Sequence, residues 1–343
     1  MRRFSVSRFR LLGLGTVTLA VILSLAGVPI TSAQGTTLFP ARVDGALPVD
    51  APFDPAWEAV HPIDVALSGQ PITPPMRLEP AFPSVRVRSL VNGDEIAVLL
   101  EWTDPTRDDS VLGVGRFADA AAMQLALGSG TSLCMGQQAG GLNIWHWKAD
   151  WAADLARRRD LEDVHPGMPN EVHFPTDPAS GLGPNGFLAG QAAGNPRSAA
   201  AFVSSVEDLN AVGFGTLTTQ PIEGQDVRGA SEYRDGAWRV VMSRRLRSGD
   251  PNDAVLRPAG AATVVAFAVW DGSRGDRDGQ KSVSTWLALS LPEEPIGMFD
   301  MWPFLVLLVL VLVLSGLVLV IGARQPAVGL GWPGGRPGGG GAD

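Results

Sequence analysis

Residues 85–102 read VRVRSLVNGDEIAVLLEW, and this stretch decides the predicted fold. Apolar and polar side chains alternate on both sides of Asn92-Gly93, which is the strongest short-range signal for a β-hairpin. Three later stretches show a similar strand-like pattern, namely 237–244 (AWRVVMSR), 261–270 (AATVVAFAVW) and 282–289 (SVSTWLAL). The sequence therefore predicts a mainly β domain, an antiparallel β-sandwich with a few short helices in its connections.

Two stretches between these strands have a different character. Residues 149–162 (ADWAADLARRRDLE) are the best candidate for a helix, because acids stand at the start and arginines follow. From about Pro175 to Gly229 the chain is rich in Gly, Pro, Ala and Ser and only weakly periodic. This composition predicts a long loop or an insertion that leaves the sandwich.

Both ends of the chain predict contact with a membrane. The first ten residues contain four arginines, and an apolar run follows them. This pattern is typical of a secretory signal peptide over residues 1–33 that is cleaved after Ala33, and an uncleaved anchor is the alternative. Residues 304–323 (FLVLLVLVLVLSGLVLVIGA) contain about the 20 apolar residues that cross a bilayer. We therefore expect an extracytoplasmic domain over 34–300, a transmembrane helix over 301–323 and a cytoplasmic Gly/Pro-rich tail over 324–343. The chain would be a single-pass protein of the cell membrane. Its bulk would lie in the periplasm or on the outer face of the membrane.

Composition excludes several classes of function. A formal net charge of −8 argues against a protein that binds nucleic acid, which needs clustered Lys and Arg. One cysteine, Cys134, excludes an internal disulfide, a cysteine-rich zinc site, an iron-sulfur cluster held by this chain and covalent attachment of a c-type haem. The sequence also has no nucleophile elbow, so it offers little as a self-contained enzyme. Lys148 and Lys281 are the only lysines in the chain.

One stretch concentrates the residues that could carry chemistry. Residues 134–151 read CMGQQAGGLNIWHWKADW and contain three tryptophans, a histidine, a methionine and a lysine. Such a stretch would serve a large, flat, apolar ligand well.

At this point the chain resembles the haem b-binding subunit family of ethylbenzene dehydrogenase, dimethyl-sulfide dehydrogenase, selenate reductase and chlorate reductase. The resemblance covers roughly residues 50–292 and depends on four motifs in the order of the family. These are 117–124 (FADAAAMQ), Met135-Gly136 with 143–150 (NIWHWKAD), 235–241 (DGAWRVV), and 266–272 (AFAVWDG) with 280–286 (QKSVSTW).

The resemblance implies a β-sandwich that holds one non-covalent haem b between an axial methionine and an axial lysine. By motif, Met135 matches the methionine and Lys281 the lysine. A thioether is a soft neutral ligand, and an amine binds iron only after it has lost its proton. The resemblance also implies an iron-sulfur subunit and a molybdopterin catalytic subunit as partners, with a soluble cytochrome or a quinol-oxidising protein beyond them. The chain itself would pass electrons and catalyse nothing.

Every site residue has a simpler interpretation. Met135 could be core filler, and Lys281 could be an exposed turn residue. Lys148 is the rival lysine, although it could instead pair with Asp150. His146 could bind iron, or it could donate to a haem propionate or the backbone. Trp145, Trp147 and Trp286 could be pocket walls or sandwich core. Asn143 is the remaining candidate for the cofactor site, and Cys134 is by default an inert thiol.

Two other functions remain open from the sequence. A surface-anchored β-sandwich could bind glycan or another flat ligand on its tryptophans without any haem. A haem-free subunit could simply dock an oxidoreductase to the membrane. A colourless protein that binds glycan would favour the first alternative.

Overall fold

The computed structural model describes residues 37–72, 74–127, 141–159, 161–167, 189–198, 204–213, 215–256, 262–292 and 302–323. The predicted signal peptide, residues 1–33, lies outside the described residues. The chain divides into two compact units, Met1–Glu293 and Glu294–Asp343.

The described residues of the first unit form fourteen strands, numbered here in chain order. They are β1 Thr37–Leu38, β2 Ala41–Arg42, β3 Ile63–Ser68, β4 Ser84–Val91, β5 Glu95–Thr103, β6 Ala120–Ala126, β7 Leu142–Lys148, β8 Val206–Ala211, β9 Thr218–Thr219, β10 Arg228–Arg234, β11 Ala237–Arg245, β12 Thr263–Trp270, β13 Ser282–Ser284 and β14 Leu287–Leu289. Its short helices are α1 Pro55–Glu58, α2 Ala149–Ala156, α3 Leu161–Val164 and α4 Ala189–Ala192. Antiparallel β structure with few short helices is therefore confirmed.

Neighbouring strands pair in the order β10-β11-β5-β4-β3-β13-β12-β6-β7-β8-β9. Every pairing along this path is antiparallel, and two short N-terminal strands add parallel pairs, β1 with β14 and β2 with β4. Strand β3 pairs with β4 at one end and with β13 at the other. The two halves of the sheet, β10 to β4 and β13 to β9, are therefore joined through one strand.

The two halves pack face to face through their aromatic side chains. Trp102 of β5 and Trp238 of β11 contact Trp147 of β7, with ring centroids 6.0 and 5.0 Å apart. All three belong to one buried core cluster that draws residues from both halves. Such contacts combine large buried areas with favourable edge-to-face geometry, so this inner layer stabilises the packing of the two halves.

The hairpin predicted from residues 85–102 is confirmed. Strands β4 and β5 pair from Arg86 opposite Glu101 to Val91 opposite Ile96. The Asn92 side-chain oxygen accepts hydrogen bonds from the backbone N–H groups of Asp94 (3.0 Å) and Glu95 (2.8 Å). An asparagine that satisfies its own turn in this way fixes the register of both strands.

The predicted helix over 149–162 is wrong in its length. Helix α2 ends at Ala156, because Arg157 is extended (φ −156°, ψ 121°). Arg159 then turns back, and its guanidinium bonds Asp154 (2.9 Å) and the backbone oxygen of Asp109 (2.6 Å). Buried ion pairing of Arg159 outweighs continued helical hydrogen bonding at this point.

Part of the predicted long loop over about 175–229 belongs to the sheet. Residues Val206–Ala211 (VEDLNA) form β8 and pair with β7 along six positions. This strand was missed because two acids interrupt the alternation of polar and apolar residues that marks a strand in the sequence. Asp208 is nevertheless fully buried, and Glu207 is nearly so.

A buried polar network ties β7 to β8 and β11. The Asn143 amide nitrogen donates to Asp208 (2.6 Å), and its oxygen accepts from Arg244 (2.7 Å) and from the indole of Trp145 (3.2 Å). Arg244 also donates to the backbone oxygen of Ala254. Asn143, Asp208 and Arg244 are each at most 1% exposed, so losing one partner would leave the others without water to replace it.

The second unit contains α5, Trp302–Ala323. The side chains of Phe304 and of residues 315–323 lie outside the described part of this helix. Over the residues that the structure does describe, no helix is both long enough and apolar enough to cross a membrane.

Replacing Asn143 by Leu should lower the free energy of unfolding by about 3 kcal/mol, because Arg244 and Asp208 would lose a buried partner. Urea unfolding of the full chain measures the effect. Asn210 lies opposite Asn143 on β8 and is half-buried, so Asn210→Ala is the matched control and should cost about 1 kcal/mol. Equal losses in the two variants would contradict the network's importance.

Candidate functional site

The site is a cavity of about 380 Å³ on the outer face of the β13 to β9 half. Strands β6, β7, β8, β12 and β13 supply its walls and floor, together with the segments around Gly213 and Gly279. Its lining is mostly apolar, with few polar groups, which is the composition of a pocket for a small molecule or cofactor.

Small residues form part of the floor. Ala122 of β6 lies in register with Ala268 of β12 on one side and with His146 of β7 on the other. Ile144 and Leu209 continue the same apolar cluster along β7 and β8. Alanine side chains on adjacent strands leave room above the sheet for an apolar ligand.

Lys281, the residue immediately before β13, lines this cavity. It is 3% exposed, and its amine lies 4.9 Å from the centre of the Trp270 ring. Burial lowers the pKa of Lys281 to about 7, against a weaker opposing effect of the Asp278 carboxylate. The structure therefore rejects the exposed-turn interpretation and gives this lysine a substantial neutral fraction at pH 7.

Next to Lys281, His146 presents its imidazole to the same cavity. Its ring lies 4.9 Å from that of Trp270, and burial, aided by Lys148 and Lys281, holds the pKa of His146 well below its usual range. Among the described residues its Nε2 has no hydrogen-bond partner. A buried nitrogen of this kind marks a place where a ligand or water would bond.

The rival lysine is engaged elsewhere. Lys148 forms an ion pair with Glu207 of β8 and lies 4.2 Å from the centre of the Trp151 ring. Its expected partner was Asp150, but Asp150 pairs with Arg197 instead (3.2 Å). Lys148 is also absent from the residues that line the cavity.

The structure divides the other predicted site residues between two faces. Asn143, Trp145 and Trp147 point inward, away from the cavity; both tryptophans are fully buried, so they are sandwich core. Trp286 is half-buried and packs on the outer apolar cluster that forms the cavity floor.

Met135 and Cys134 lie outside the described residues. They belong to the connection between β6 and β7, whose two ends meet where the Leu127 N–H donates to the Gly141 oxygen (2.9 Å). Strands β6 and β7 both line the cavity, so this connection joins two of its walls. Convergence of Met135 and Lys281 on one ligand stays a prediction.

Trp270 is the main site residue that the sequence analysis missed. It closes the cavity beside Lys281 and His146, and its indole donates to the Asp278 backbone oxygen (3.2 Å). The signal was present in AFAVW, where Ala266, Ala268 and Trp270 alternate with core residues. Strand alternation alone, however, does not tell which face is solvent and which is pocket.

Comparison with known proteins places the chain in a family. The model of the ethylbenzene dehydrogenase family matches residues 54–282, more than half of the chain. A respiratory nitrate reductase heme subunit of Haloferax mediterranei is 28% identical over 286 residues, 82% of this chain and 83% of the relative. The gamma subunit of dimethylsulfide dehydrogenase from Rhodovulum sulfidophilum is 30% identical over 251 residues, which cover 69% of this chain and 73% of the relative.

A third relative, the gamma subunit of chlorate reductase from Ideonella dechloratans, is 28% identical over 190 residues, which cover 54% of this chain and 56% of the relative. Among solved structures, a family 9 carbohydrate-binding module from Caldicellulosiruptor kristjanssonii is 10% identical to this chain. The match covers 77% of this chain and 99% of the module. Its TM-score of 0.39 is too low to carry an argument about fold or ligand. The family match decides the question: this chain belongs to the ethylbenzene dehydrogenase family.

Proposed function

We propose that this chain is the haem b-binding, electron-transfer subunit of a molybdenum oxidoreductase complex. The main support is that a buried lysine with a lowered pKa lines an apolar cavity in a chain whose relatives are named as heme and gamma subunits. When bound, haem supplies a one-electron iron couple.

The residues present fit such a group. The alanine floor and Trp270 offer apolar surface to a porphyrin face, and they exclude water from it. Lys281 can offer a neutral amine because burial has already lowered its pKa, so little free energy is needed to remove the proton. The unpartnered Nε2 of His146 is a further donor or acceptor at the same wall.

We propose that Lys281 and Met135 would hold the haem iron. Lys281 is held by the strand that follows it, since Ser282 pairs with Val269 and its hydroxyl accepts from the backbone N–H of Ala81 (2.8 Å). Met135 would approach from the connection between two cavity walls. A ligand fixed on a sheet keeps its place when the iron changes charge, which favours rapid electron transfer.

We further propose the partners and the location. Electrons would pass between an iron-sulfur subunit, which serves a molybdopterin catalytic subunit, and an external acceptor or donor such as a soluble cytochrome or a quinol-oxidising protein. Residues 34–300 would be extracytoplasmic, and residues 304–323 would anchor the chain in the cell membrane. The support for this location is the sequence, with its apolar run of about 20 residues.

Changing either assigned ligand should alter the optical spectrum of the haem-loaded protein. Lys281→Leu and Met135→Leu should each abolish the low-spin b-type spectrum, because each removes one axial ligand. Electron paramagnetic resonance of the ferric protein would then report a changed ligand set. Lys148→Leu is the matched control, since it changes the only other lysine, which lies outside the cavity.

A colourless wild-type protein after adequate haem supply would defeat this proposal, and glycan binding by that protein would favour a surface-binding module. An unchanged spectrum in Lys281→Leu, with loss in Lys148→Leu, would transfer the ligand role to the other lysine.

The same Lys281→Leu variant should stabilise the haem-free protein near neutral pH. Between pH 10.5 and about 7 the unfolded chain binds a proton that folded Lys281 does not, so the wild-type protein loses stability as the pH falls through this window. The gain of the variant over wild type should therefore be about 2 kcal/mol larger at pH 7 than at pH 9. Urea unfolding at the two pH values measures it, and a gain independent of pH would contradict the lowered pKa.

Deleting residues 301–343 should release the protein from membranes. The expected result is a shift from the membrane fraction to the soluble fraction after cell breakage, with the haem spectrum kept. A salt and carbonate wash distinguishes an integral anchor from peripheral attachment. Retention of the truncated chain by washed membranes would refute the proposed anchor.

A further inference from the structure

Three carboxylates from separate parts of the chain meet on the inner side of β8. Asp208 belongs to β8, Asp226 precedes β10, and Asp253 follows β11. Each offers an oxygen, and these three oxygens lie within 4.8 Å of one another. Asp208 and Asp253 are 0% and 4% exposed, whereas Asp226 is exposed at the rim.

A buried carboxamide, that of Gln220, lies beside these acids. Gln220 is 2% exposed, and its amide nitrogen donates to one oxygen of Asp208 (3.2 Å) and one of Asp253 (3.0 Å). The carboxamide is thus held against both acids. Its own oxygen, Oε1, is buried and has no hydrogen-bond partner among the described residues. The second oxygens of Asp208 and Asp253 are buried and unpartnered in the same way.

Three buried acceptors without donors are expensive, because each has lost water and gained nothing in exchange. Arg244 contributes one positive charge, with 3.0 Å between its guanidinium and Asp253. The ionised cluster of three acids and one arginine would therefore keep two negative charges. Burial, with repulsion from Asp253, raises the pKa of Asp208 to about 8 and that of Asp226 to about 6.

We infer that Asp208, Asp226, Asp253 and Gln220 form a binding site for one hard divalent cation, and that calcium is the ion they suit best. The three acids offer carboxylate oxygens, which are donors that calcium prefers. The Gln220 nitrogen now faces the acids, so its amide group would turn over to present Oε1 to the ion. Two positive charges match the net charge of the cluster. Calcium also tolerates the irregular arrangement that four loop and strand residues provide, whereas magnesium demands a near-ideal octahedron.

An ion could reach this site from solvent. Asp226 and Arg244 also line a polar cavity of about 550 Å³ that includes Asn92, Glu95 and Ser248. Water molecules from this cavity would complete the coordination shell.

The other acidic triad of the described residues differs in a decisive way. Asp108, Asp119 and Asp271 also bring three oxygens together. Both oxygens of Asp119, however, already accept hydrogen bonds, from the backbone N–H of Gly272 (2.9 Å), from the backbone N–H of Asp108 (2.8 Å) and from the Trp238 indole (3.0 Å). Those donors take the place of a cation at Asp119, so Asp119 serves as the control. In the same triad Oδ2 of Asp108 has no hydrogen-bond partner among the described residues.

The cation would have a structural task that is independent of haem. Asp208 bonds Asn143, whereas its neighbour Leu209 faces the cavity. A cation at Asp208 would clamp β8 to the segments before β10 and after β11, and so brace the cavity wall from behind.

Calcium binding to the full-length protein can be measured by equilibrium dialysis after treatment with a chelator, with metal content determined by mass spectrometry. Wild type should bind one calcium ion per chain, with much weaker magnesium binding. Asp208→Asn and the exposed Asp226→Asn should each weaken calcium binding at least about tenfold. Asp119→Asn should bind calcium as wild type does.

Thermal unfolding gives a second measurement that needs no haem. Calcium at a hundredfold excess over its Kd should raise the Tm of wild type and Asp119→Asn by on the order of 5–10 °C. Asp208→Asn and Asp226→Asn should show little rise. Because Asp226 is exposed, its variant should fold even if Asp208→Asn does not.

Absence of calcium binding by wild type at millimolar concentrations would overturn the inference. So would full binding by Asp226→Asn, or equal loss in Asp119→Asn. None of these outcomes bears on the haem proposal, which is tested by the optical spectrum.

Discussion

Alternation along β7 is the constraint on which the rest of the structure depends. Successive residues of LNIWHWK point to opposite faces of the sheet, so Asn143, Trp145 and Trp147 enter the interior while Ile144 and His146 face the cavity. A shift of one residue in register would exchange the two sets and destroy both. The Asn143 hydrogen bonds to Asp208 and Arg244 hold this register, because they satisfy buried groups in only one alignment.

The outer faces of the two halves differ in what covers them. On one, Leu47, Val49, Trp57 and Val60 cover Leu90, Leu99 and Val241 and form a separate core. On the other, the apolar side chains of β6, β7 and β8 line the cavity. The N-terminal segment thus covers one outer face, whereas the other outer face keeps an apolar cavity. This contrast supports the proposed position of the site in that cavity.

Sequence reasoning predicted the β class and the 85–102 hairpin. These predictions succeeded because alternation and an Asn-Gly turn are local signals. It failed where several distant residues decide the outcome. Strand β8 is acidic, and only Arg244, Asn143 and Gln220 from elsewhere make Asp208 acceptable inside. Similarly, nothing local to Trp145 or Trp147 shows that the cavity lies on the other face.

The pairing of β1 with β14 brings the first and last strands of the first unit together. Thr37 lies opposite Ala288, and the Ser290 N–H donates to the Leu38 oxygen (3.0 Å). The polypeptide therefore enters and leaves the described strands at one sheet edge. A short linker could join these two strands while new termini were opened in an exposed turn, so circular permutation of the strands from β1 to β14 is compatible with this architecture.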